Sequence, residues 1–177
     1  MNLKNKLEKR VNIKEVKELL QSIEENKNNM EELYVLIFDP DTKTSFQALW
    51  VCSHLSKFGH QWLYKKQKTL IDEILSCHHS GKRRLLLDLL LHQPPPDPPR
   101  VDLLDFCMEH MISKHEPPGV QVLCMKLAYE ICRPIPELLQ EFSTMLDIMQ
   151  TELLPPSMKA TRKNVLKALV KQSSLRK

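Results

Sequence analysis

The residues with the clearest potential for binding chemistry are basic side chains in two regions of the sequence. No acidic residue follows Glu152, and the basic segment beyond it extends to Arg176 and Lys177. Concentrated cations attract anions such as a nucleic-acid backbone or an acidic protein surface. The candidate residues for binding an anion or a partner are Lys82, Arg83, Arg84, Lys159, Arg162, Lys163, Lys167 and Lys171.

The lysines of the C-terminal segment are spaced to lie along one side of a helix. They recur at every fourth residue from Lys159 to Lys171. Because a step of four residues turns by only about 40° around a helix, their ammonium groups should form one ridge. The buried stripe on the opposite side is expected to contain Met158, Val165, Leu166 and Leu169.

Two interpretations of this ridge stay open from the sequence. A terminal repeat needs a polar outer face, and lysines provide one without any further role. Alternatively, the ridge binds an acidic protein or a nucleic acid. No stacking aromatic residues are interleaved with the lysines, which argues against recognition of single strands.

No constellation in the sequence predicts catalysis, a metal or a cofactor. Adjacent ligands such as Cys77, His78 and His79 point in different directions at a helix end, whereas a zinc site needs paired ligands at turn-sized spacing. The three glycines do not form a phosphate-binding loop, and a nucleophile elbow is absent. We therefore expect a protein that is not an enzyme, with no catalytic, metal or cofactor residues.

The elements that must position these residues are helices separated by proline and glycine. Proline cannot donate a backbone hydrogen bond and belongs at helix ends, and glycine often terminates helices. Asn12 is a plausible N-cap, and a break is expected at Asn26, Asn28 and Asn29. Ten helices are predicted, at 3–10, 13–25, 30–38, 44–58, 61–76, 80–93, 101–114, 118–133, 136–152 and from 156 onward.

Short apolar segments recur along the chain at an almost regular interval. They are Ala48-Leu49-Trp50-Val51, Leu85-Leu86-Leu87, Val122-Leu123-Cys124-Met125 and Val165-Leu166. Aligning Leu49, Leu86, Leu123 and Leu166 gives a period of about 37 residues that stretches to about 43 at the last step. The alternative is an irregular bundle with accidental spacing.

This pattern resembles HEAT- or armadillo-like helical-repeat proteins, and the chain is similar to a group of short bacterial helical-repeat proteins with a basic last helix. The resemblance implies an all-α, HEAT/ARM-like right-handed superhelix of about four to five antiparallel helix pairs. We expect one helical-repeat domain over residues 1–177. We also expect a non-enzymatic scaffold that binds an unknown protein partner.

The alternative function is duplex DNA binding in a basic groove. In the repeat alignment, Lys82 and Arg83 fall opposite Arg162 and Lys163, so two basic helix starts would line that groove. The most apolar stretch, Leu85 to Leu91, is far shorter than the roughly 20 residues of a membrane span. We expect a cytoplasmic protein without membrane contact, in which the five cysteines are mostly small buried residues rather than disulfides.

Overall fold

A computed structural model describes the backbone of residues 2–175 and the side chains of residues 2–172. Arg176 and Lys177, at the end of the predicted basic segment, lie outside the described residues. All regular secondary structure within residues 2–175 is helical, and none of it is strand. The predicted all-α class is confirmed.

The described part of the chain forms eleven α-helices in sequence. They are α1 (Leu3–Leu7), α2 (Ile13–Glu24), α3 (Lys27–Leu36), α4 (Thr42–Cys52), α5 (Lys57–Tyr64), α6 (Gln67–Ser76), α7 (Ser80–Leu91), α8 (Val101–Ile112), α9 (Pro118–Cys132), α10 (Pro136–Ile148) and α11 (Pro156–Leu175). A short 3₁₀ helix, Thr151–Leu153, precedes α11. No helix of residues 2–175 has the length and apolar character that crossing a bilayer requires. The cytoplasmic location stays a prediction.

The chain divides into two compact units within its longest proline run. The first unit, Met1–Pro94, contains α1 to α7, and α4 packs against α3 and α7 there. The second unit, Pro95–Lys177, contains α8 to α11, and α9 packs against the other three. Both cores are apolar, with Leu49 and Leu86 fully buried in the first unit and Phe142 and Leu146 in the second. That residues 1–177 form one domain stays a prediction.

Capping by short polar side chains fixes where several helices begin. Asn12 caps α2 in a complete capping box, because it accepts from the Glu15 backbone while Glu15 accepts from the Asn12 backbone. The predicted break at Asn26, Asn28 and Asn29 is wrong in part. Asn26 caps α3 by accepting from Asn28 N, so Asn28 and Asn29 lie inside that helix.

The predicted helix at 61–76 is also wrong, because the structure has two helices there. α5 starts at Lys57 under a Ser56 cap, and the chain breaks between α5 and α6 at Lys65 and Lys66. Gly59 therefore lies inside a helix instead of ending one. A Cβ on Gly59 would lie 2.9 Å from Leu55 Cβ, so this glycine permits a close approach of the chain.

Four helix pairs share one polar contact that we call the interhelix clamp. In each, a side chain in the first two turns of the second helix donates to a carbonyl at the end of the helix before it. Carbonyls at a helix end lack some or all of the hydrogen bonds that the helix interior provides, and this contact supplies one. The clamps are Ser45 to Ile37, Arg83 to Cys77, Gln121 to Ser113 and Arg162 to Leu146. The donors at 45, 83, 121 and 162 are separated by 38, 38 and 41 residues.

The clamps describe the repeat more regularly than the leucines that predicted it. Leu49 and Leu86 are fully buried as expected. Leu123 and Leu166 are only half-buried, because α9 turns Cys124 and α11 turns Val165 to the core in their place. A repeat exists, but its last two leucine positions do not mark equivalent core sites.

Candidate functional site

Three predicted lysines of α11 lie together along a surface groove of the second unit. Lys159, Lys163 and Lys167 are all exposed and line a groove of about 580 Å³. Among the described residues, none of the three forms an ion pair with a carboxylate. Their charges are therefore available to a ligand. Lys171, one turn further along α11, is also exposed.

The same groove has an apolar strip, which the sequence interpretation placed wrongly. Leu166 was expected in the buried stripe, but it lines the groove together with Val170, whose exposed fraction is 69%. The reason is helical geometry: seven residues make about two turns, so Leu166 lies above Lys159 and Val170 lies above Lys163. Met158 and Val165 are buried as predicted, and Thr161 is buried with them.

Arg162 borders the groove but is committed to the protein itself. Its Nε donates to the Leu146 carbonyl at 2.7 Å, and Nη2 lies 4.0 Å from Asp147 Oδ1. Only 17% of its side chain is exposed. Arg162 therefore holds α11 against the end of α10 and helps to place the lysines.

The predicted cluster at the start of α7 divides into three different environments. Lys82 Nζ lies 3.1 Å from Glu73 Oε1, and both side chains are largely buried. Arg83 is buried and donates to the Cys77 carbonyl. Arg84 is exposed and lines a groove of the first unit. These contacts favour structural roles for Lys82 and Arg83. Their pairing with Arg162 and Lys163 in one groove stays a prediction, because the two clusters belong to different units.

The Cys77–His79 segment serves the local fold. Cys77 is the buried residue at the end of α6, and His79 caps α7 by accepting from Lys82 N at Nδ1, 3.1 Å away. His78 is exposed. Within residues 2–175, no three His, Cys, Asp or Glu side chains are grouped so that they could hold a metal ion.

Sequence reasoning missed the aromatic surfaces of the first unit. Lys66 Nζ lies 4.9 Å from the centre of the Tyr34 ring and 5.4 Å from that of Trp62, beside a cleft of about 590 Å³ that Phe58 and Met30 also line. These residues come from α3, from α5 and from the break between α5 and α6. Periodicity within one helix does not predict that residues of different helices lie together. The only sequence signal for such a surface is the clustering of aromatic residues between positions 34 and 64.

The chain matches a known protein family. A family model described as HEAT repeat domain matches residues 3–169, which covers both compact units. No curated protein and no solved structure matches the chain.

Proposed function

This chain belongs to the HEAT repeat domain family, and from that premise we propose that it is a non-enzymatic scaffold that binds a partner protein through α11. Proteins of stacked helix pairs present extended surfaces to their partners. The observation that carries the proposal is the α11 groove, in which exposed lysines flank an apolar strip. An acidic, amphipathic helix is the partner segment that matches it.

Charge complementarity defines one half of that partner. Lys159, Lys163 and Lys167 line the groove, and no acidic residue is among the residues that do so. Like charges four residues apart repel slightly along a helix, by about 0.2–0.5 kcal/mol per pair. Carboxylates of a partner helix relieve this repulsion as they bind.

The apolar strip defines the other half and favours a protein over duplex DNA. Val170 is 69% exposed and Leu166 lies beside it in the groove. A phosphate backbone has no apolar surface to bury against these side chains, whereas a partner helix with leucines at helical spacing has one. Burial of apolar area contributes about 25 cal/mol per Å².

The test measures binding of a synthetic amphipathic peptide with glutamates on one face and leucines on the other. The wild-type chain should bind it, and the triple variant Lys159→Glu, Lys163→Glu, Lys167→Glu should not. The matched control is Lys14→Glu, Lys17→Glu, Lys57→Glu, which makes the same charge change at exposed residues outside the groove. Equal binding by both triple variants would contradict the proposal.

A second variant separates protein binding from DNA binding. Val170→Ser removes part of the apolar strip without changing any charge in the groove, so it should weaken peptide binding and leave any duplex DNA binding much less affected. The logarithm of the binding constant for DNA would also fall linearly with the logarithm of the salt concentration, with a slope of about −0.9 for each neutralised phosphate. If duplex DNA binds tightly, the peptide does not, and Val170→Ser changes nothing, the alternative function is correct.

A further inference from the structure

A groove of the first unit brings together residues that are far apart in sequence and all suited to one kind of ligand. The segment between α1 and α2 contributes Arg10, α4 contributes Phe46 and Trp50, and α7 contributes Arg84. The volume is about 490 Å³, within the range of about 300–1,000 Å³ typical of small-molecule sites. We propose that this groove binds a nucleotide unit, that is, a planar base carrying a phosphate.

The two arginines supply the anion-binding half of the site. Arg10 and Arg84 are both exposed, and among the described residues neither forms an ion pair or a hydrogen bond through its side chain. None of the residues that line the groove is acidic. The guanidinium group is planar and binds phosphate oxygens through two parallel hydrogen bonds. Two such groups without an internal partner favour a phosphate over a neutral ligand.

The two aromatic residues supply the surface for the base. Phe46 and Trp50 are four residues apart on α4, so they lie on the same side of that helix, and both are partly exposed to the groove. Stacking of a base on an aromatic ring is favourable for every base, because each presents a π-face. No aromatic residues are interleaved with the C-terminal lysines along the sequence, whereas in this groove the fold places Phe46 and Trp50 together with Arg84.

Gln47 adds a polar side chain that can form a hydrogen bond to a ligand in the groove. Its side chain is buried, and Oε1 accepts from Val11 N at 3.5 Å. Among the described residues, its amide Nε2 has no hydrogen-bond partner. A ring nitrogen or carbonyl of a base is an acceptor to which this amide can donate. Free nucleotides and single strands share this chemistry.

The experiment is calorimetric titration of the full chain with adenosine 5′-monophosphate, adenosine, inorganic phosphate and a short oligodeoxyadenylate. The nucleotide should bind saturably, at one site, and at least about tenfold more tightly than adenosine or phosphate alone. Arg10→Gln and Arg84→Gln should each weaken it about tenfold or more, because each removes charge-assisted hydrogen bonds. Lys14→Gln, which removes a nearby charge outside the groove, should change nothing.

Stacking of the base on Trp50 is measured separately, by fluorescence. In a Trp62→Phe background, nucleotide should quench the fluorescence of Trp50, the remaining tryptophan. Since Arg10 and Arg84 are exposed, their variants should fold, and far-ultraviolet circular dichroism confirms it. Tighter binding of the oligonucleotide than of the mononucleotide identifies a strand as the ligand, and equal binding identifies a free nucleotide.

Three results would overturn the proposal: no saturable binding of either nucleotide probe, equal affinity for phosphate alone, or full affinity in both arginine variants. The triple lysine variant of α11 should bind the nucleotide as the wild type does. Failure of this proposal is thus distinguishable from failure of the proposed α11 function.

Discussion

The Arg83 guanidinium donates to the Cys77 carbonyl twice, from Nη2 at 2.6 Å and from Nε at 3.2 Å. Cys77 is the C-cap residue directly after α6, and Arg83 lies in the first turns of α7. Arg83, one of the residues predicted to bind an anion, therefore forms an interhelix clamp. It satisfies a helix end that would otherwise be buried without a partner.

Replacing Arg83 by methionine should destabilise the protein, and replacing its neighbour Arg84 should not. Arg83→Met removes hydrogen bonds from a charged donor and leaves the Cys77 carbonyl buried, at a cost of about 1.5–3 kcal/mol. Arg84→Met changes an exposed side chain and should stay within about 0.5 kcal/mol of the wild type. Urea unfolding followed by circular dichroism measures both. Equal losses in the two variants would show that the clamp contributes nothing specific.

Gly59→Ala should destabilise the chain even though alanine favours helices. The new Cβ would lie 2.9 Å from Leu55 Cβ and 3.0 Å from Glu24 Oε1. Overpacking of this kind costs about 1–3 kcal/mol, whereas alanine gains only about 0.5–1 kcal/mol in a helix. Gly119→Ala, at an exposed residue in the first turn of α9, is the control and should be neutral or slightly stabilising. A higher melting temperature for Gly59→Ala would contradict the close approach.

Stability should fall on acidification because of His60. Its ring stacks on His92 with centroids 5.5 Å apart. Burial, and then the charge of His92, hold the pKa of His60 below its usual 6.5, although Asp88 and Glu24 act in the opposite direction. Below about pH 6.5 the unfolded chain binds a proton that the folded chain does not yet bind, so the free energy of unfolding decreases. The decrease attributable to His60 stops once the pH is below its folded pKa.

The measurement is the free energy of unfolding from pH 7.5 down to about pH 5, compared between the wild type and His60→Gln. The variant should show a smaller decrease. His78→Gln, at an exposed histidine, should reproduce the wild-type slope. If His60→Gln and the wild type have the same slope, His60 does not titrate as its surroundings indicate.

The cysteines should resist thiol reagents in the folded protein. All five are free and buried. Burial raises the pKa of Cys52 and Cys107 well above the usual range and that of Cys132 to about 11, which leaves almost no reactive thiolate near pH 8. Ellman's reagent should react slowly with the native chain and with all five thiols in denaturant. Rapid reaction of even one thiol in native buffer would contradict this burial.

Local sequence signals predicted several of the helix starts. Pro118, Pro136 and Pro156 are each the first residue of a helix, and Asn12 caps α2 as expected. These signals succeed because they act within one or two turns of the chain. Glycine was interpreted wrongly at Gly59, since a residue without a side chain can end a helix or permit a close contact. The sequence around it does not distinguish the two.

In the candidate site, too, the sequence predicted some features correctly and others wrongly. The i, i+4 spacing sufficed to place Lys159, Lys163 and Lys167 on one side of α11. It did not place Leu166, because periodicity defines which residues share a side but not which side faces the core. Arg162 has the same formal charge as its neighbours, and only the nearby Leu146 carbonyl gives it a different role.

The sequence by itself determined an all-helical chain, several of its helix starts and a basic last helix, since these follow from backbone chemistry and spacing along one segment. The tertiary structure decided which cations are committed to helix ends and which remain available to a ligand. It also placed Trp50 beside Arg84, which are 34 residues apart in the chain. Such associations depend on how whole helices pack, because packing brings distant residues together.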